Sequence, residues 1–186
     1  MHTLHMLWLP ILVSAIFVFL VSSVIHMLSP WHKNDYPRVP DEEGLRKALR
    51  PLNIPPGDYM VPRATSRQEM SSPEFLEKMK EGPVVIMTVV PNGAMALGTS
   101  LGLWFLYSLA IGVMAANVAR HSVAPGAPWR HIFHFVALPS FMGYAVALWQ
   151  MSIWYRRSWI ITVKATVDGL IYAVLTAATF VWLWPR

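Results

Sequence analysis

The sequence predicts an all-α membrane protein of four transmembrane helices, with a small α/β extramembrane cap between helices 1 and 2. Three observations predict it. Only 13% of the 186 residues are charged and 55% are hydrophobic, against about 25% and 45–50% in a soluble domain. The charge is also segregated: nine of the ten acidic residues, and nine of the fifteen Lys plus Arg, lie between His32 and Gly82. Finally, apolar runs with at most one charged residue recur, each near the roughly 20 residues of helix that a hydrocarbon core about 30 Å thick requires.

The first domain, residues 1–30, is one transmembrane helix. Leu4–Leu28 contains no Asp, Glu, Lys or Arg, and Pro10 near its start is tolerable in a membrane helix. A signal peptide is disfavoured, because the apolar run is too long, no basic segment precedes it and no small-x-small cleavage site follows.

Residues 31–93 form a hydrophilic, proline-rich cap. Asp41 is placed to cap a short helix, Glu42 to Arg50, which Pro51 stops. Asn53 to Gly57 is a turn cluster, and Tyr59-Met60-Val61 fits a short strand. Ser72, Pro73 and Glu74 combine an N-cap, a first-turn proline and an acidic first turn, so they start a second helix ending at Gly82-Pro83. The β-branched run 84–90 then reads as a strand, and Pro91-Asn92-Gly93 as a turn. So few short elements bury little core, and the cap is expected to lie on the membrane surface.

Residues 94–186 make a three-helix transmembrane region, with spans at about 94–118, 132–153 and 165–184. Trp149, Trp154 and Tyr155 end the third span, and Trp182 and Trp184 end the fourth, as in an interfacial aromatic belt. Twelve Lys and Arg fall on the side of the hydrophilic segment and three on the other. The positive-inside rule therefore puts that segment in the cytoplasm and both termini outside.

Several chemistries are excluded. Without cysteine there are no disulfides, thiolate metal sites or cysteine nucleophiles. Phosphate-binding glycine loops, a nucleophile elbow and HExxH are absent, so catalysis is not the expected role. The net charge of +5 sits in loops flanking apolar spans, which indicates membrane orientation and not nucleic-acid binding.

Three sets of residues carry the candidate sites. Ala94, Gly98 and Gly102 recur every four residues on the second span, and Gly169, Ala173 and Ala177 do so on the fourth. In lipid such small-residue faces permit close backbone approach, so a second/fourth pairing or a contact with another protein is expected. Asp168 is the one carboxylate within a span. With the fourth span starting at Ala165 it would lie in the first turn, favoured by the helix dipole and paired with Lys164 four residues earlier. An interfacial or intramembrane polar anchor is the first reading, and a proton or ion site the second. His131 and His134 share a face of the third helix and are the candidate ligands for a metal or haem. Solvated interfacial histidines beside Arg120 and Arg130 are the simpler reading, so neither cofactor is expected.

The run Asp168-Gly169-Leu170-Ile171-Tyr172, the C-terminal Thr179-Phe180-Val181-Trp182-Leu183-Trp184-Pro185, and the turns Asp35-Tyr36-Pro37 and Pro91-Asn92-Gly93 resemble small bacterial multi-spanning membrane proteins. The resemblance covers most of the chain. It implies a four-helix fold and a bacterial inner-membrane location, and it brings no activity.

The function these features favour is a non-catalytic accessory or scaffolding subunit. Its partners would be the lipid bilayer and other subunits of a membrane complex, respiratory or photosynthetic, with no nucleic acid. A small transporter or proton-coupled protein using Asp168 comes second. A haem- or metal-binding redox protein using His131 and His134 comes third.

Overall fold

The computed structural model describes residues 4–94, 96–124 and 126–185. They form two compact units: Met1–Tyr36 together with Ala96–Arg186, and Pro37–Met95.

The first unit holds four helical runs long and apolar enough to cross a membrane: Leu4–Leu28, Leu97–Ser122, Trp129–Ile153 and Trp159–Leu183. The first is continuous, passing from a 3-10 turn, Leu4–Leu7, into α1, Trp8–Ser23, and then a π-helical turn, Val24–Leu28. Pro10 falls in the first turn of α1, where its missing N–H loses no hydrogen bond. Ser14, Ser22 and Ser23 donate their hydroxyls to carbonyls one turn back in the same helix, which satisfies a polar group where water is absent.

The third span is broken. Pro139 lies inside a helix that ends at Tyr144, and a 3-10 turn, Val146–Leu148, leads into a short helix, Trp149–Ile153. The fourth begins at Trp159, well before the start at Ala165 expected of a span of about 20 residues ending at Trp184. Lys164 does not end the span because its ammonium has protein partners, described below.

Chain order from here gives the remaining labels. In the second unit α2 is Glu42–Leu49, β1 Gly57–Val61, α3 Arg67–Met70, α4 Pro73–Glu81 and β2 Val85–Val89. In the first unit α5 is Leu97–Ser122, α6 Trp129–Tyr144, α7 Trp149–Ile153 and α8 Trp159–Leu183.

Helix α1 packs against α5 and α8, and α6 packs against the same two. The second and fourth spans therefore stand on a diagonal, meeting through Trp104 and Tyr172, whose rings are 5.8 Å apart. This corrects the expected second/fourth pairing through small residues. Gly169, Ala173 and Ala177 are indeed at an interface: a Cβ on Gly169 would come within 2.7 Å of the Ala145 Cβ, and both alanines are buried. Ala94, Gly98 and Gly102 are exposed, and a Cβ on Gly98 or Gly102 would meet nothing within 4 Å. Spacing marks a face that permits close approach, but the partner depends on how the bundle is wound.

The bundle interior is filled by Leu7, Val18, Ile111, Val136 and Phe180, all essentially inaccessible. Interhelical polar contacts are sparse and specific. The Trp104 indole N–H donates to Ser22 Oγ at 2.7 Å, and Ser152 and Thr162 share a 2.6 Å hydroxyl contact.

In the second unit β1 and β2 pair antiparallel, from Gly57 opposite Val89 to Val61 opposite Val85. Asp41 caps α2 by accepting from the Gly44 N–H, and Ser72 caps α4 by accepting from that of Phe75. Helix α4 stops at Gly82, whose φ of +65° suits a residue without a side chain. Among the described residues of this unit, none is fully buried.

Candidate functional site

The polar residues that matter gather where the first span ends. After Leu28, Ser29 caps a single 3-10 turn, Pro30–His32, by accepting from the Trp31 N–H, with Pro30 supplying the first-turn φ. This turn sends Trp31 and His32 back toward α8. The sequence assigns residues 31–36 to the hydrophilic segment, yet they fold with the helices.

What they meet is Asp168. It lies past the second turn of α8, is 3% exposed, and is far from the first-turn position inferred from a helix start at 165. One carboxylate oxygen accepts from the Trp31 indole N–H at 3.1 Å, and the other lies 2.9 Å from His32 Nε2. The opposite nitrogen of the ring, Nδ1, is 2.7 Å from Asp35 Oδ2. Lys164 then closes the set, donating to Asp35 Oδ1 and to the Trp31 carbonyl, both at 2.7 Å, with its ammonium 5.6 Å from the centre of the Trp31 ring. Lys164 thus bonds Asp35 and Trp31, where the i,i+4 spacing had suggested Asp168.

The electrostatics follow from the donor count. Asp35 and Asp168 are acceptors on opposite sides of one imidazole, and a neutral imidazole has only one N–H to give. Both contacts are satisfied together when the ring carries two protons, or when a cation takes the place of one of them. Burial by itself raises the pKa of Asp35. Hydrogen bonds from Lys164 and His32 outweigh that and hold the carboxyl below the usual carboxylate range.

His26, on the last turn of the first span, stacks on His32 with ring centres 4.1 Å apart and planes 16° from parallel. His26, His32 and Asp168 each offer a ligand atom, and these atoms all lie within 4.8 Å of one another. His26 is exposed, His32 half-buried and Asp168 buried, so the group runs from an open edge to a closed one. An open cavity of about 470 Å³, lined by His26, Met27, Ser29, His32 and their neighbours, adjoins it.

His131 and His134 lie elsewhere, both exposed on α6; His134 borders a shallow groove with Phe133, Leu138, Leu170 and Val174. Neither belongs to the cluster of possible metal ligands found among the described residues. Sequence reasoning missed Trp31 and His32 as partners of Asp168, and Asp35 as the partner of His32 and Lys164. One signal was present: the loop topology puts His26 and His32 on the same membrane face as Lys164 and Asp168.

A second feature lies within the 37–95 unit. An apolar groove of about 790 Å³ runs between α2 and the sheet, lined by Leu45, Leu49, Leu52, Val61, Val85 and Met87 among others. Comparison with protein-family models, with curated proteins and with solved structures finds no match to the chain.

Proposed function

We propose that the protein is a non-catalytic accessory subunit of a membrane complex, one that packs against neighbouring helices and docks its extramembrane unit on a partner protein. The observation that carries this reading is the missing core of that unit. Residues 37–95 have regular, well-capped elements, yet no described residue among them is fully buried, and an open apolar groove of about 790 Å³ lies among them. A unit of this size already buries little of its surface. Half-covered Leu45, Leu49 and Val85 are what remains when part of a core is to come from elsewhere, and exposed apolar area of this kind marks interaction surfaces.

The unit holds eight basic and eight acidic residues, so an anionic lipid surface has no net charge to attract. A protein surface is the better complement. Gly98 and Gly102 support the same reading within the bilayer, since the open space beside them admits another helix at close range. The setting we infer is a bacterial inner membrane with the 37–95 unit in the cytoplasm. The bias of Lys and Arg toward that side and the family resemblance support it.

Gentle extraction from native membranes, followed by affinity purification of the full chain, tests the proposal. Defined partners should co-isolate in fixed ratio. Leu52→Asp in the groove and Gly98→Leu, each at an exposed position, should release them. A monodisperse protein with no companion would sink the reading.

A further inference from the structure

We propose that His26, His32 and Asp168 form a binding site for a divalent transition cation, of which Zn²⁺ is the simplest case. Two imidazole nitrogens and one carboxylate oxygen are a donor set of borderline softness. It suits Zn²⁺, Cu²⁺ or Ni²⁺ and not the all-oxygen preference of Mg²⁺ or Ca²⁺. Their ligand atoms lie within 4.8 Å of one another, against about 3.3 Å between donors around a tetrahedral ion with bonds near 2.0–2.1 Å. The contraction required is at most about 1.5 Å, and it falls on the exposed ligand. His26 is exposed and must turn out of its stack with His32, because parallel rings cannot both direct a lone pair at one ion.

The surroundings are what a built site needs. Asp35 stands 2.7 Å from His32 Nδ1, on the side away from Asp168. Donation of that N–H to Asp35 leaves Nε2 as the ligand nitrogen, the carboxylate–histidine–metal arrangement that orients the ring and raises its basicity. The Trp31 indole holds the other oxygen of Asp168, leaving Oδ2 for the ion. Lys164 anchors Asp35 without touching any of the three ligands. Two carboxylates, one ammonium and neutral imidazoles sum to one negative charge, which a dication entering this low-dielectric edge offsets. The open cavity beside His26 and His32 supplies room for water as the remaining ligand.

The three ligands come from the end of the first span, the turn after it and the buried face of α8. A bound ion therefore joins segments distant in sequence. This inference does not depend on the accessory-subunit reading, and each can fail without the other.

The test uses the full chain on a histidine-free affinity tag, purified in metal-free buffer and titrated calorimetrically with Zn²⁺. Metal content is then measured after desalting, and the visible spectrum after loading with Co²⁺. The expected result is about one ion per chain with tetrahedral Co²⁺ bands. His26→Ala, at an exposed position that spares the fold, should abolish both. Asp168→Asn should do the same, and Asp35→Asn should weaken affinity by about 10–100-fold. The double variant His131→Ala/His134→Ala should bind like the parent. No uptake by the parent chain above that of the His26→Ala chain overturns the proposal, as does loss of binding confined to the His131/His134 variant.

Discussion

His32 and Asp168 stand 136 positions apart and meet at 2.9 Å, Nε2 to Oδ2. That contact, with Trp31 on the other carboxylate oxygen, fastens the turn after the first span to the interior of α8. A buried carboxylate engaged on both oxygens is worth more to the fold than an exposed ion pair, because removing it leaves its partners without their acceptor.

Substituting Asp168 by Ala is therefore expected to destabilise the helical unit by about 2–4 kcal/mol. The Trp31 indole N–H loses its acceptor, and His32 loses its contact with α8. Asn, which keeps the shape and one acceptor oxygen, should recover part of the loss. Reversible unfolding in mixed micelles measures both, and a wild-type curve for the Ala variant would contradict the account.

Glycine substitutions should separate the two small-residue faces. Gly169→Val drives a side chain into the Ala145 Cβ, which lies only 2.7 Å from where its own Cβ must sit, and overpacking of this kind costs about 1–3 kcal/mol. Gly98→Leu projects into open space and should change the stability of the isolated chain by no more than about 0.5 kcal/mol. Equal losses from the two would mean that the bundle is wound differently.

Ser22→Ala removes the acceptor of the 2.7 Å bond from Trp104. Hydrogen bonds between membrane helices are worth about 0.6 kcal/mol on average and up to about 1.7, so a loss within that interval is expected. Trp104→Phe combined with Ser22→Ala should show coupling in a double-mutant cycle. Strict additivity would show that the pair does not interact.

Glu69 supplies a pH-dependent check on the extramembrane unit. The Thr65 hydroxyl and then its backbone N–H donate to the Glu69 carboxylate, and they hold its pKa below the ordinary glutamate value. A folded-state pKa lower than the unfolded one contributes stability that is present above the unfolded value. That contribution is lost as pH falls through the folded one. Carbon-detected NMR titration of Glu69 should therefore give a midpoint below the ordinary glutamate value, and Thr65→Val should raise it.

The number of spans was legible because it depends on composition alone: twenty apolar residues without charge have one low-energy home in a bilayer. Caps were legible for the same local reason, and Asp41 and Ser72 accept the N–H groups that their spacing promises. Boundaries were less so. Lys164 looks like the edge of the fourth span until Asp35 and the Trp31 carbonyl are seen to hold its ammonium.

Sequence by itself determined that this chain has four membrane-spanning helices, where the hydrophilic unit begins to form helices and strands, and that Asp168 needs a partner. These are properties of segments, set by hydropathy, by capping and by the cost of a bare carboxylate in lipid. Tertiary structure alone decided which helices touch, which of the two small-residue faces is buried, and that the partners of Asp168 are Trp31 and His32. Such contacts join residues as far apart as the 136 positions between His32 and Asp168, and no local periodicity records them, because they depend on how the helices close around one another.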